Sequence, residues 1–168
     1  MSISTKSNGF TLIELIVVIM LVSIMLFFSI PRFQGTVFTD NTNRVSRWVI
    51  LKSRSLKEKA FIEQRQYALH IGVDTNSLWI THEKMTEAEV NKAVQNSYKL
   101  PEGIGIRDVE FPGQGKIEYG NTKICFYAKG YSDKALIHID DKDNQYTFFI
   151  EPFLSQVRFK NEYVEFER

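Results

Sequence analysis

The pattern of hydrophobic and polar positions divides the chain into three parts. A run of uncharged residues, 15–30, follows a polar tail and precedes Pro31. The next stretch, 31–64, places apolar residues at helical spacing, and beyond Gln64 apolar and polar residues alternate with period two. The pattern therefore predicts an apolar helix, an amphipathic helix and a β-rich domain, in that order.

The apolar segment at residues 10–30 is long enough to cross a membrane. As a helix at about 1.5 Å per residue it would span roughly 32 Å, close to the hydrocarbon thickness of a bilayer. The run is too long for a cleavable secretory signal, and no small-residue cleavage site follows it. We therefore expect a transmembrane helix at 10–30, preceded by a leader peptide at 1–9.

One acidic residue, Glu14, interrupts this apolar segment. A carboxylate inside a membrane costs about 3 kcal/mol even on a lenient insertion scale. Between Lys6 and Arg32 the chain offers no cation that could pair with it. Three possibilities follow: Glu14 reaches the interface, it pairs with another chain, or it pairs with an amine made by cutting before Phe10.

The stretch 31–64 predicts an amphipathic stem helix. Its apolar stripe consists of Val45, Trp48, Val49, Leu56 and Ala60. Lys52 falls within the stripe and is expected to extend its charge to water. The other faces are expected to carry Arg44, Arg47, Arg54, Lys57 and Glu58. Residues 39–43 are poor helix formers, so the helix is expected to loosen or be capped again there.

The remaining residues, 65–168, predict a β-rich head. A strand at 67–73 is followed by a returning strand from 78 to 80, and residues 86–95 predict a short helix or an inserted loop. Further short strands are predicted at 104–111, 116–119, 123–128, 134–140, 145–151, 156–159 and 162–166.

One hairpin of the head has a clear register. Its facing residues are expected to be Ala135, Ile137 and Ile139 on one strand and Tyr146, Phe148 and Ile150 on the other. Such a sheet buries its apolar face against the amphipathic helix. The predicted fold class is therefore α+β: a long N-terminal helix, membrane-spanning in its first half and amphipathic in its second, packed on a C-terminal antiparallel β-sheet.

Charge is unevenly distributed along a chain whose formal net charge is only +1. Residues 32–65 contain eight basic and three acidic residues, whereas residues 66–168 contain twelve basic and sixteen acidic ones. The acidic head disfavours nucleic acid as a partner. The basic stem suits a solvated face, a contact between subunits, or the phosphates of lipid or DNA.

The sequence contains no convincing catalytic or metal-binding constellation. The three histidines are His70, His82 and His138, and their spacing is not that of metal ligands. One predicted turn carries the oxygen-bearing residues Asp140, Asp141, Asp143 and Asn144. Calcium could use such oxygens, but a polar hairpin turn accounts for them more simply. The single cysteine, Cys125, is expected to be a small buried apolar residue. We therefore predict neither enzymatic activity nor a metal or cofactor.

The segment GFTLIEL, from Gly9 to Leu15, resembles the processing signal of type IV pilins and type II secretion pseudopilins. The resemblance implies that a prepilin peptidase cuts after Gly9 and that Phe10, the new N-terminal residue, is methylated. It also implies that Glu14 pairs with the N-terminal amine of a neighbouring subunit during assembly. Pro31 then occupies the position at which many pilins bend their helix; from the residues alone, it could equally mark only the exit of the helix from the membrane.

The second half of the chain is similar to the globular domain of H-type minor pseudopilins and of FimT-like minor pilins. The similarity lies in LPEGI at 100–104, FYAKGYS at 126–132 and FIEP at 149–152. Residues 158–163 lack the glycine–arginine pattern associated with DNA-binding FimT-like proteins. The resemblance implies a minor pseudopilin of the type II secretion pseudopilus that supports protein export across the outer membrane. The alternative is a minor type IV pilin for pilus assembly or for DNA binding and uptake.

The resemblance also implies a location and a set of partners. The protein would be a single-pass protein of the bacterial inner membrane with its head in the periplasm, and would later join the filament. Cations after the apolar segment favour the opposite orientation by the positive-inside rule, but large domains can cross despite such charges. The implied partners are prepilin peptidase, the major and other minor pseudopilins, the inner-membrane assembly platform and inner-membrane lipid.

Overall fold

The computed structural model describes residues 12–29, 40–142 and 144–167. The chain divides into two compact units, Met1–Phe38 and Thr39–Arg168. Three residues with predicted roles in processing or bending lie outside the described residues: Gly9, Phe10 and Pro31.

The first unit contains helix α1, Leu12–Ser29, with Glu14 in its first turn. All side chains from residue 12 to residue 25 are exposed. The large aliphatic side chains at these positions of α1 are thus exposed. Within the described residues, no helix combines the length and the apolar character needed to cross a membrane.

The second unit begins with helix α2, Asp40–Ile62, which starts within the stretch of poor helix formers. The predicted apolar stripe is confirmed: its smaller members are buried, and Trp48 is half-buried and stacks on Tyr98 at 4.7 Å. Lys52 extends its charge to water as expected, although it lies off the buried stripe, whereas the predicted position of Lys57 is wrong. Lys52 is exposed and Lys57 is buried, because the buried face extends to Ser53, one turn before Lys57.

Nine strands and one further helix follow in the described part of the second unit. In chain order they are β1 (Tyr67–Gly72), β2 (Ser77–His82), α3 (Glu87–Gln95), β3 (Tyr98–Lys99), β4 (Ile104–Phe111), β5 (Gly115–Ile117), β6 (Asn121–Phe126), β7 (Ala135–Asp141), β8 (Asn144–Ile150) and β9 (Arg158–Lys160). Most of these elements match the predicted segments to within two or three residues. The two-residue strand β3 was not predicted, because two residues are too few to show a period.

The strands form two antiparallel sheets, whereas the sequence predicted one. The first sheet has the order β3-β2-β1-β6 and the second has the order β5-β4-β7-β8-β9. Period-two alternation identifies a strand and its two faces, but it does not specify which strand edges meet. The core joins α2 with the inner faces of both sheets, and Phe126 and Phe148 are among its largest fully buried side chains.

The predicted β7–β8 hairpin is confirmed residue by residue. Ala135 pairs with Ile150, Ile137 with Phe148 and Ile139 with Tyr146. The same alternating faces that bury these six side chains fix the register, because a slip by one residue would turn all of them outward.

The segment predicted as helix or inserted loop is the helix α3. Thr86 caps it: Glu89 N donates to Thr86 Oγ1 at 3.4 Å, and Thr86 N donates to Glu89 Oε2 at 2.8 Å. This reciprocal capping box satisfies backbone donors that the first turn leaves without helical partners.

The predicted strand at 162–166 is wrong. Residues 161–167, the C-terminal tail, follow β9 without joining either sheet. Thr147 supplies side-chain bonds instead: its Oγ1 donates to Glu162 O at 2.7 Å and accepts from Val164 N at 3.0 Å. The tail alternates like a strand, but its backbone bonds to side chains of the second sheet.

Candidate assembly segment and head surfaces

The structure places only part of the predicted processing and assembly site. Glu14 lies in the first turn of α1 and is exposed. Gly9, Phe10 and Pro31 lie outside the described residues, so their predicted roles stay predictions. The described helix therefore gives the setting of the predicted assembly contact, a carboxylate near the start of an apolar helix.

Most of the exposed large aliphatic side chains among the described residues lie on α1. Their exposed fractions on this helix range from 45% at Ile24 to 78% at Leu12. Covering a side chain of this size stabilises by about 1.5–3 kcal/mol. Continuous apolar surfaces of this kind mark contacts with proteins or membranes. α1 therefore presents an apolar surface of the kind that contact with another molecule covers.

Lys57 fixes a loop of the head to α2. Its ammonium group donates to three backbone carbonyls: Glu151 O at 2.9 Å, Pro152 O at 3.0 Å and Leu154 O at 2.7 Å. Burial lowers the pKa of Lys57, and the nearby Glu151 carboxylate opposes this change. All three N–H donors of the ammonium group are thereby used within the head. No local pattern indicates this role, since a lysine beside an apolar stripe usually reaches water.

The loop held by Lys57 presents apolar side chains to solvent. Phe153 is 83% exposed and Leu154 is 53% exposed. The ring of Phe153 lies 6.2 Å from that of Tyr131, measured between centroids. The loop is thus an apolar protrusion with a fixed backbone.

A buried polar cluster fastens the C-terminal tail to the outer face of the second sheet. His138 is fully buried; its Nδ1 lies 2.6 Å from Asp108 Oδ1 and its Nε2 lies 2.8 Å from Val164 O. Tyr163 donates to Asp108 Oδ2 at 3.0 Å, and its ring stacks on that of His138 at 4.1 Å. Because a carbonyl oxygen can only accept, Nε2 carries a hydrogen, and a further proton lies between Nδ1 and the carboxyl group.

The electrostatics of this cluster favour an ionised carboxylate. Burial raises the pKa of Asp108, but hydrogen bonds from His138 and Tyr163 and the charge of Lys116 outweigh burial, so the pKa lies below its ordinary value. The guanidinium of Arg107 and the ammonium of Lys116 lie 5.1 Å and 4.9 Å from the centre of the Tyr163 ring. These charged groups of the sheet bind Tyr163 of the tail through its hydroxyl group and its ring.

The candidate metal-binding residues do not converge in the structure. Over the described ranges, no group of three or more His, Cys, Asp or Glu residues is placed to hold a metal ion. His70 stacks on Trp79 at 5.2 Å, and His138 belongs to the tail cluster. Asp141 is buried and accepts a hydrogen bond from Thr42 of α2. Asp143 lies outside the described residues, so calcium binding at this turn stays untested.

One other predicted feature of the head can be placed. Cys125 is buried at 6% exposure and forms no disulfide, as expected of a small apolar residue. Burial raises the pKa of its thiol. The thiol is therefore poorly suited to act as a nucleophile.

One groove of the head is wide and open. It encloses about 1060 Å³ between the β4–β5 hairpin, β8 and the end of the tail. Its charged side chains include two ion pairs, Lys116 with Glu165 and Arg158 with Glu151. Among the described residues that line it there is no serine, cysteine or histidine. The groove therefore offers none of the usual pairs of nucleophile and base.

Comparison with known proteins supports the resemblance at both ends of the chain. Residues 4–30 match the prokaryotic N-terminal methylation motif. Among proteins of curated function, none matches the chain significantly.

The fold is similar to that of the minor pseudopilin EpsH from the type II secretion system of Vibrio cholerae. One EpsH structure has a TM-score of 0.53 at 17% identity and covers 71% of this chain and 95% of its own. A second has a TM-score of 0.55 at 17% identity and covers 75% of this chain and 97% of its own. The chain thus carries a prepilin-type motif and a head with the fold of a minor pseudopilin, which confirms the predicted pilin-like character.

Proposed function

We propose that the protein is a minor pseudopilin, a structural and non-enzymatic subunit of a type II secretion pseudopilus. The proposal is carried by the occurrence in one chain of the N-terminal methylation motif and a head that folds like EpsH. The motif supplies a segment for processing and insertion, and the head supplies a stable domain for the filament. The protein would thereby support export across the outer membrane.

In this proposal prepilin peptidase cuts after Gly9, and Phe10 is methylated. Residues 10–30 then hold the chain in the bacterial inner membrane as a single pass, with the head in the periplasm, until the subunit enters the filament. The exposed apolar side chains of α1 support this role because lipid, and later the neighbouring subunits, would cover them.

The proposed assembly contact joins Glu14 to the N-terminal amine of Phe10 in a neighbouring subunit. A charge-assisted hydrogen bond of this kind is strong in apolar surroundings, where both charges would otherwise be costly. Pro31 gives the helix a bend between insertion and filament packing. The partners are the major and other minor pseudopilins, the assembly platform and membrane lipid. The excess of acidic residues over 66–168 disfavours the alternative of a DNA-binding pilin.

Coexpression with prepilin peptidase tests the proposal. We expect Gly9→Ala to keep its leader, which mass spectrometry of the N-terminus would show. We expect Glu14→Leu to be cut and methylated normally but to be missing from sheared filaments. Ser23→Leu is the matched control, because it also replaces a polar residue of α1 by leucine while removing no charge. Normal cutting of the Gly9 variant, or normal incorporation of the Glu14 variant, would contradict the proposal.

A further inference from the structure

The face of α2 that points away from the core is strongly basic. Its exposed charged residues are Arg44, Arg47, Lys52, Arg54, Glu58 and Lys59. Five cations thus stand against one carboxylate on this helix face. Among the described residues, none of these five cations takes part in an ion pair within the chain.

One line of this face combines charge with apolar surface. Five residues with helical spacing form the line, called the outer stripe: Arg47, Leu51, Arg54, Glu58 and Ile62. Leu51 is 63% exposed and Ile62 is 68% exposed. Leu51 lies between two arginines that are one turn away on either side. Arginine is among the residues that most often dominate binding energy in protein interfaces.

We propose that the outer stripe docks an acidic helix of another subunit, with Leu51 packed between two carboxylates that pair with Arg47 and Arg54. The inference rests on the proposed function and names the chemistry of the neighbour. Seven residues separate the two arginines, which is about 10.5 Å along the helix. The partner therefore presents carboxylates with a similar separation, with a small or apolar residue between them.

The charges on the stripe decide between this partner and other occupants. A second copy that packs through the same face of α2 would bring five cations against five cations, and like charges in contact disfavour that pairing. An anionic lipid surface or a polyphosphate would attract the arginines but repel Glu58, which lies on the same line. A protein helix can meet both signs, because it can place a cation opposite Glu58 and carboxylates opposite the arginines. The contact is thus between unlike subunits.

Charge reversal on and off the stripe tests the inference. The tagged full-length chain would be coexpressed with each other pilin-like subunit of its system and purified from membranes in detergent. We expect one subunit to be captured, and R47E/R54E to reduce its capture by about tenfold or more. The matched control K52E/K59E makes the same change in net charge on the same helix, away from the stripe, and should stay within about twofold.

Three outcomes would overturn the inference: capture of no subunit by the unmodified chain, equal loss in both double variants, or no loss in either. Restored capture of R47E/R54E by a partner whose paired carboxylates are changed to lysine would support it directly. Binding to phosphatidylglycerol vesicles or duplex DNA that both variants weaken equally would identify a nonspecific anionic partner instead. Leader removal is measured on the same samples, so failed processing, which would count against the proposed function, is distinguished from failed docking.

Discussion

The two long helices use apolar surface in opposite ways. α1 leaves its large aliphatic side chains exposed, whereas α2 buries a stripe in which Val49 and Ala60 are completely covered. α2 also directs polar side chains inward, since Lys57 bonds to three carbonyls of the head and Thr42 bonds to Asp141. The apolar stripe of α2 therefore stabilises the head, whereas the apolar surface of α1 is available to other molecules.

The difference shows why the hydrophobicity of a helix does not by itself describe its role. α1 is the more apolar helix, yet it contributes no buried side chain over its described positions 12–25. α2 carries many charges, yet one face completes the core. Stability of the head should therefore depend on α2, and membrane insertion or assembly on α1. Substitutions can test this division.

The largest effect is expected when the same substitution, leucine to alanine, is made separately in each helix. Leu56→Ala in α2 should lower the free energy of unfolding of the head by about 2–5 kcal/mol, because it leaves a cavity in the core. Leu21→Ala in α1, where the side chain is 54% exposed, should leave that free energy unchanged. Both tryptophans, Trp48 in α2 and Trp79 in β2, lie in the second unit, so their fluorescence reports its unfolding in detergent. A comparable loss in both variants would remove the distinction between the helices.

A smaller loss is expected where α2 holds the loop. Lys57→Met keeps the length of the side chain but removes the ammonium donor from three carbonyls, and should destabilise the head by about 2 kcal/mol. Lys52→Met is the matched control on the exposed side of the same helix. Hydrogen exchange at Ser132, whose N–H donates to Pro152 O at 3.1 Å, should rise in the first variant alone. Unchanged exchange there would show that the loop does not depend on Lys57.

The smallest effect is expected at the C-terminal tail. The test is whether side chains of the second sheet, rather than α2, stabilise this part of the head. Asp108→Asn should weaken the tail by about 1–2 kcal/mol, because it removes a charged acceptor from His138 and Tyr163. Hydrogen exchange at Val164 measures this loss. Glu102→Gln, which removes a carboxylate charge at an exposed position of the head, is the control.

The same cluster has a defined pH dependence. The pKa of Asp108 is lower in the folded protein, so its contribution is present above the ordinary aspartate range and is lost as pH falls through that range and below. The wild-type tail should therefore loosen in acid, and the Asp108→Asn variant should show less of this acid-dependent change. An equally steep acid response in that variant would exclude Asp108 as its source.

Local patterns were enough to predict much of the fold. The stripe around Val49 follows from helical spacing, and the pairing of Ile137 with Phe148 follows from alternation with a short turn. Both signals depend on residues close in sequence. The motif from Gly9 to Leu15 is likewise contiguous, which is why the predicted processing site needed no structure.

Features that depend on distant partners were not predicted. Lys57 was assigned to the solvent face because its three acceptors lie more than ninety residues later in the chain. The tail was assigned to a strand because its alternation fits one, yet Thr147 supplies the bonds that a neighbouring strand would have made. In both cases a side chain forms a hydrogen bond to backbone that is distant in sequence. The spacing of apolar and polar residues does not indicate such a bond.

The long reach of the Lys57 contacts affects the order in which the head can form. The ammonium group leaves the ribosome early, whereas Leu154 O, one of its acceptors, follows 97 positions later. Thr42 is similarly separated by 99 positions from Asp141, to which it donates a hydrogen bond. Contacts of such separation form slowly, because a long loop must close before they contribute. The growing chain therefore carries α2 with part of its inward face uncovered until synthesis is nearly complete, and during that interval chaperones can protect that part.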